Sequence, residues 1–143
     1  MASIFRTTLS PAELQRIGHA TLETQLGIEF IEQGDDYLLA RMPVDARTKQ
    51  PYGSLHGGAS IALAETLGSL ASMLVLGQDS GRVGVGIEIN ANHLKPAREG
   101  WVHGRVTPLS LGSRLHIWDI RITSENGDLV CVSRLTTMVV ERK

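Results

Sequence analysis

Between Gln50 and Gln78 the chain carries no Lys, Arg or Asp, and its one formal charge there is the carboxylate of Glu65. The surrounding run, GGASIALAETLGSLASMLVL from Gly57 to Leu76, is otherwise apolar and small. A carboxylate buried alone is costly, so in such a setting it has a partner or a task. On a helix, Ser69 and Ser72 follow Glu65 on one face and make a narrow polar stripe. Two readings stay open: a solvated stripe at the open side of a sheet, or a catalytic carboxylate whose protonation its surroundings set.

His56-Gly57-Gly58 stands where that helix begins. The first backbone N–H groups of a helix lack intrahelical partners and lie at the positive end of its dipole. Glycine lets a ligand approach them closely, which suits a carbonyl oxygen becoming an oxyanion. The plainer reading is a loop-to-helix turn in which glycine only supplies backbone freedom. Glu65 follows Gly57 by eight residues, about 12 Å along one helix at 1.5 Å per residue. A carboxylate attacking a carbonyl must come within about 3–3.5 Å of it. One helix therefore cannot supply both groups to one carbonyl. If both act, they come from two subunits with their helices antiparallel.

Other chemically interesting residues form no pattern. Cys131 has no arranged His or acid and reads as a small buried hydrophobe. His19, His103 and His116 lack metal-ligand spacing, and Asp35-Asp36 fits a turn without the rest of a calcium loop. Gly84 and Gly86 are not a dinucleotide fingerprint, because no helix follows them; they read as room for a curved sheet or a ligand. No metal and no cofactor are expected.

The elements that must position these groups follow from pattern. Ser10-Pro11-Ala12-Glu13 is a capping box with Pro at the first helical position. It predicts a helix running to about Leu26-Gly27, with Leu14, Ile17 and Leu22 near one face. Residues 28–33 and 37–42 flank Gly34-Asp35-Asp36 and read as a hairpin, with Pro43 ending the second strand. Residues 44–56 read as a loop and 57–76 as a helix of about five turns. That helix is long enough to span a membrane. Its Glu, Thr, Ser and Gly content favours instead a helix swallowed by a sheet. Residues 82–93 alternate, with Val83, Val85, Ile87 and Ile89 on one face and Gly84, Gly86, Glu88 and Asn90 on the other. Strands over 101–107, 114–123 and 128–140 follow, the last two joined at Asn126-Gly127. The order α-β-β-α-β-β-β-β predicts an α+β fold, an antiparallel sheet wrapped around a central helix, with an N-terminal helix before it. Its open face or edge strand would want a partner.

Composition excludes several classes. With 14 Lys plus Arg and 15 Asp plus Glu, the formal charge is −1, which argues against nucleic-acid binding and a disordered acidic tail. The 143 residues suit a single domain spanning 1–143. One Cys excludes a disulfide framework and a multi-Cys zinc site. The start, MASIFRTTLS, lacks the apolar core of a signal peptide, so a soluble, cytoplasmic protein without a membrane role is expected. The 15 glycines exceed the usual share of about 7%.

PVDARTKQPYGSLHGGASIALAETLGSLAS, residues 43–72, resembles the hotdog-fold acyl-CoA thioesterases. Within them it is similar to the branch of the enterobactin-pathway proofreading and 1,4-dihydroxy-2-naphthoyl-CoA thioesterases. Residues 87–120 and 133–140 continue the likeness. The resemblance implies a hotdog fold whose dimers pair edge strands into one sheet, and commonly a homotetramer. It implies hydrolysis of an acyl-CoA thioester, with aromatic acyl groups favoured. The active-site carboxylate falls on Glu65, as nucleophile or general base, and the amide polarising the carbonyl falls on Gly57. His56 and Gln50 belong to the half-site holding the thioester, Ser69 assists the carboxylate or a water, and His93 matches a second active-site His. By resemblance, Glu65 and Ser69 come from one subunit and Gln50, His56 and Gly57 from its partner. Coenzyme A must bind too. Ser113, Arg114, Arg98 and Lys95 are candidates, with Ser133-Arg134 beside them, since Arg and Lys suit phosphate. Leu67, Leu70, Met73 and Leu74 are candidates for the acyl pocket. A non-catalytic acyl-CoA sensor on the same fold is the alternative. A hydratase ranks last, because no His follows the carboxylate on the helix.

Overall fold

The computed structural model describes residues 1–143. Helix α1 spans Pro11–Ile17, and its capping box is complete: the Ser10 hydroxyl accepts from Glu13 N (3.2 Å) and the Glu13 carboxylate accepts from Ser10 N (3.0 Å). The predicted single helix to Leu26 is not formed. Gly18 ends α1, Ala20 takes φ +61°, and Thr21 caps a separate four-residue helix, α2, Leu22–Gln25. The break turns Leu22 outward to 63% exposure, whereas Leu14 stays fully buried. Thr21 draws the chain out of the helix: its hydroxyl donates to Gly18 O (2.6 Å) and accepts from Glu23 N (3.3 Å).

Strands β1 (Glu29–Gln33) and β2 (Leu38–Pro43) form the expected hairpin, closed by Gly34 N–H donating to Tyr37 O at 2.9 Å. The long helix α3 spans Gly57–Leu76. It is followed by β3 (Arg82–His93), β4 (Trp101–Leu111), β5 (Leu115–Ser124) and β6 (Leu129–Glu141). All six strands make one antiparallel sheet in the order β1-β2-β4-β5-β6-β3. Strand β4 runs beyond the predicted 107, because a bulge between Pro108 and Ser110 accommodates the residue that cannot donate to the ladder. Gly127, at φ +84°, makes the β5–β6 turn.

The sheet curls around α3. Leu63, Leu67 and Leu74 on the helix are fully buried against Val102, Val106, Trp118, Ile120, Ile122 and Leu135 of the sheet. Close approach depends on small residues: a Cβ at Gly104 would meet Leu63 and Leu67, and one at Gly68 would meet Leu135. Each fully buried leucine stabilises the fold by roughly 1.5–3 kcal/mol. Leu67 and Leu74 are thus core residues and not the acyl-pocket wall considered above.

Strand β3 departs from its expected alternation. A bulge between Gly86 and Glu88 switches its faces. Before the bulge, Gly84 and Gly86 face α3 and Val85 points outward at 46% exposure, as does the bulged residue Ile87 at 51%. After it, Ile89 and Ala91 pack on the core. Ile89 therefore lies on the face opposite Val83, Val85 and Ile87. β3 is also an edge: β6 is its one neighbour in the sheet.

Candidate active site

Glu65 lies on the α3 face that crosses β3 at Gly86, where a Cβ would overlap its Oε2. The carboxylate is half-buried and lines an open depression of about 430 Å³ with Gly58, Ile61, Ala62, Thr66 and Ser69. Ser69 is thus beside Glu65, as the spacing requires. Glycine at position 86 gives the carboxylate its place. Gly86→Ala is expected to push the carboxylate aside, lowering kcat by about 10-fold or more with KM and melting temperature little changed. Steady-state kinetics and thermal unfolding check this.

Ser72 lies on the same line of the helix, over Gly84, but the sheet covers it completely. It is therefore not part of a solvated stripe. Its hydroxyl oxygen accepts from Trp118 Nε1 at 2.8 Å and lies 3.0 Å from His116 Nδ1 and 2.8 Å from Thr137 Oγ1. Burial pushes the His116 pKa down, and the positive charge of Arg82 adds to this. The four side chains satisfy one another inside the core. Nothing local in the sequence marks them, since they come from α3, β5 and β6.

The other half of the expected constellation lies elsewhere. His56 is the N-cap of α3, its Nδ1 accepting from Gly58 N at 2.8 Å. The Gly57 N–H donates to no group of the chain. It faces a second depression of about 340 Å³, lined also by Gln50, Ser54, Ser60, His93 and Lys95. His93, the last residue of β3, brings its Nε2 to 2.8 Å from where a Gly57 Cβ would stand, so glycine is required for this approach. The Gln50 amide donates to Ser54 Oγ at 2.6 Å and accepts from Tyr52 N, which fixes it at the rim. His56 caps the helix from outside this depression and lines a neighbouring one with Arg47 and Lys49. The depressions holding Glu65 and Gly57 share no residue. One chain thus keeps the carboxylate and the free amide apart.

The candidate phosphate-binding side chains also divide. Lys95 lies beside His93 and Gly57, in an exposed pair with Asp128 at 3.3 Å. Such a pair contributes little, so its ammonium is available to an anion. Arg98 is exposed nearby in sequence. Ser113 and Arg114 sit exposed in the β4–β5 turn. Leu115, next to them, aligns with Met138 and Val85, whereas His93 aligns through Cys131 with Ile122. Seven residues along β5 put the two groups roughly 23 Å apart. Within one chain they do not meet. Of the acyl-pocket candidates, Leu70 and Met73 line a cleft of about 200 Å³ that also contains Thr66 and Ser69. Cys131 is fully buried and burial pushes its thiol pKa up, as befits a core residue.

Comparison with known proteins gives the same class. A model of the thioesterase superfamily matches residues 52–131. The chain is 48% identical over 137 residues to 1,4-dihydroxy-2-naphthoyl-CoA hydrolase of Escherichia coli, covering 96% of this chain and 99% of that one. It is 46% identical over 137 residues to the proofreading thioesterase EntH of Cronobacter turicensis, covering 96% and 98%. Thioesterase HI1161 of Haemophilus influenzae superposes with a TM-score of 0.92 at 46% identity, over 96% of this chain and 95% of that one. A Staphylococcus aureus protein, SAV0944, superposes with a TM-score of 0.81 at 36% identity, over 84% and 98%. It has been solved with a glutamate changed to alanine and, separately, with a glutamine changed to alanine. Those two positions are separated as Gln50 and Glu65 are here. A long helix wrapped by a six-stranded antiparallel sheet, with such neighbours, defines a hotdog-fold enzyme. The chain belongs to the thioesterase superfamily and is a thioester hydrolase.

Proposed function

We propose that the protein hydrolyses aromatic acyl-CoA thioesters, of the hydroxybenzoyl or dihydroxynaphthoyl type, to the free acid and CoA. The observation that carries this reading is that each chain holds both a carboxylate free of chain partners, Glu65 beside Ser69, and an unused helix N-terminal amide, Gly57. The aromatic acyl group is supported by the likeness to 1,4-dihydroxy-2-naphthoyl-CoA hydrolase. The glutamine and glutamate altered in the Staphylococcus aureus relative support the same two half-sites.

The chemistry needs no further group. Along one route a Glu65 oxygen attacks the thioester carbonyl carbon, the C–S bond breaks, and CoA leaves as thiolate. Water then hydrolyses the resulting mixed anhydride and regenerates the carboxylate. Along the other, Glu65 takes a proton from a water that attacks the same carbon, and the departing thiolate takes up a proton. Either route builds negative charge on the carbonyl oxygen, where the Gly57 N–H would donate. Ser69 assists the carboxylate or the water. Gln50 and His93 hold the thioester end, His56 belongs to the same half-site by capping the helix terminus that presents the Gly57 amide, and Lys95 and Arg98 serve the CoA phosphates. In this reading the active unit is a homodimer with shared sites, paired into a homotetramer, in the cytoplasm.

Thiol release from benzoyl-, hydroxybenzoyl-, dihydroxynaphthoyl- and straight-chain acyl-CoA tests the assignment. The expected result is the highest kcat/KM on the aromatic thioesters, by about 10-fold or more. Tight acyl-CoA binding without thiol release would identify a sensor instead. A preference for straight chains would overturn the aromatic assignment.

A further inference from the structure

We propose that Glu23 is a specificity-determining residue whose carboxylate accepts a hydrogen bond from a hydroxyl on the acyl group, so that hydroxylated aromatic acyl thioesters are selected over unsubstituted ones. The inference rests on Glu65 being the carboxylate that acts on the thioester.

The break between α1 and α2 creates the site. Thr21 caps α2 and fixes the backbone at Glu23. The Glu23 side chain folds back over Gly18, where any Cβ would overlap its carboxyl group, so glycine makes the space for it. In this position Glu23 lines two adjoining depressions. One contains Glu65, Thr66 and Ser69; the other contains Thr66 and Ser69 with the apolar Leu70 and Met73. No cation or hydrogen-bond donor of the chain meets the carboxyl group, and burial alone acts on it, pushing its pKa up. A half-buried acceptor without a partner beside the reacting centre is matched by a donor on the ligand.

The direction of the bound substrate points the same way. In the proposed shared site the CoA end is held by the half-site that contains Gly57, His93 and Lys95, which leaves the Glu65 half-site to the acyl group. The acyl group then extends past Ser69 towards Leu70, Met73 and Glu23. A hydroxyl there gains a charge-assisted hydrogen bond, an unsubstituted ring leaves Glu23 desolvated and unpaired, and an acyl carboxylate is repelled.

The test compares wild type, Glu23→Ala and Glu23→Gln on benzoyl-CoA and on 2-, 3- and 4-hydroxybenzoyl-CoA. Wild type is expected to prefer at least one hydroxylated isomer by about 10-fold or more, and Glu23→Ala to lower kcat/KM for that isomer by about 10- to 100-fold while leaving benzoyl-CoA within about twofold. Glu23→Gln, which keeps an acceptor oxygen, should lose less. Equal loss on all four substrates, or no loss on any, would overturn the inference and leave the thioesterase assignment intact. A wild-type protein that cleaves none of the four would overturn both.

Discussion

Glu65→Ala is expected to lower kcat for thioester hydrolysis by about 10³-fold or more, while the melting temperature moves by no more than a few degrees. The separation of the two effects follows from the packing. Glu65 is half-buried at an open depression and makes no hydrogen bond or ion pair within its chain, so truncation leaves no buried donor stranded. The core leucines on the same helix are a contrast, since shortening Leu67 or Leu74 would open a cavity and cost about 2–5 kcal/mol. Glu65→Gln sharpens the experiment. It keeps the shape over Gly86 but removes both the nucleophilic oxygen and the proton acceptor, so it should be nearly as inactive as alanine. Thiol release on the best substrate, with thermal unfolding of each variant, gives the reading. Either variant retaining activity within about 10-fold of wild type would remove Glu65 from the chemistry.

Much of this arrangement was legible in residue pattern because the signals are local. The capping box at Ser10, the hairpin turns at Gly34 and Asn126-Gly127, and the apolar run of α3 with Glu65 as its one charge each depend on neighbours within a turn or two. Three features escaped for the opposite reason. The end of α1 at Gly18 competes with a helical pattern that continues through Leu22, and the Thr21 hydroxyl, donating to Gly18 O and accepting from Glu23 N, favours the break. The β3 bulge leaves a period-two pattern on both sides and changes only its phase, so Ile89 looked equivalent to Ile87. Ser72 aligns with Glu65 along the helix, yet its burial depends on Trp118, His116 and Thr137, which are distant in sequence. The two candidate half-sites were more legible than the candidate phosphate-binding cations. A distance along one helix is fixed by its rise, whereas the separation of Lys95 from Arg114 depends on strand register across the sheet.

Mixed dimers of two inactive chains should regain activity, and this is the second large effect. One chain carries Glu65→Ala, the other Gly57→Val. In a shared site the carboxylate of the second chain meets the amide of the first, and one site of each mixed dimer is intact. Equal amounts exchanged at random give half mixed dimers, so about a quarter of wild-type activity should return from two nearly inactive parents. The geometry that permits this is specific. Glu65 and Gly57 are about 12 Å apart along one helix, and a two-fold axis relating antiparallel copies of α3 removes that distance only if Gly57 of one faces Glu65 of the other. Midway between them is Ile61, which would then face its own copy on the axis; it lines the Glu65 depression and is partly exposed. The open β3 edge, with Val85 and Ile87 outward, supplies a surface on which two copies could continue one sheet. Gly57→Val is the sharper partner variant because its side chain collides with His93 while occupying the approach to the amide. Gln50→Ala serves where that collision weakens folding. A control mixture of Glu65→Ala with a chain carrying both changes should stay inactive, because no chain then supplies the Glu65 carboxylate to any site. If purified mixed dimers, verified by mass, remain at the parental level, each chain must complete its own site, and the carboxylate and the Gly57 amide cannot act on the same carbonyl.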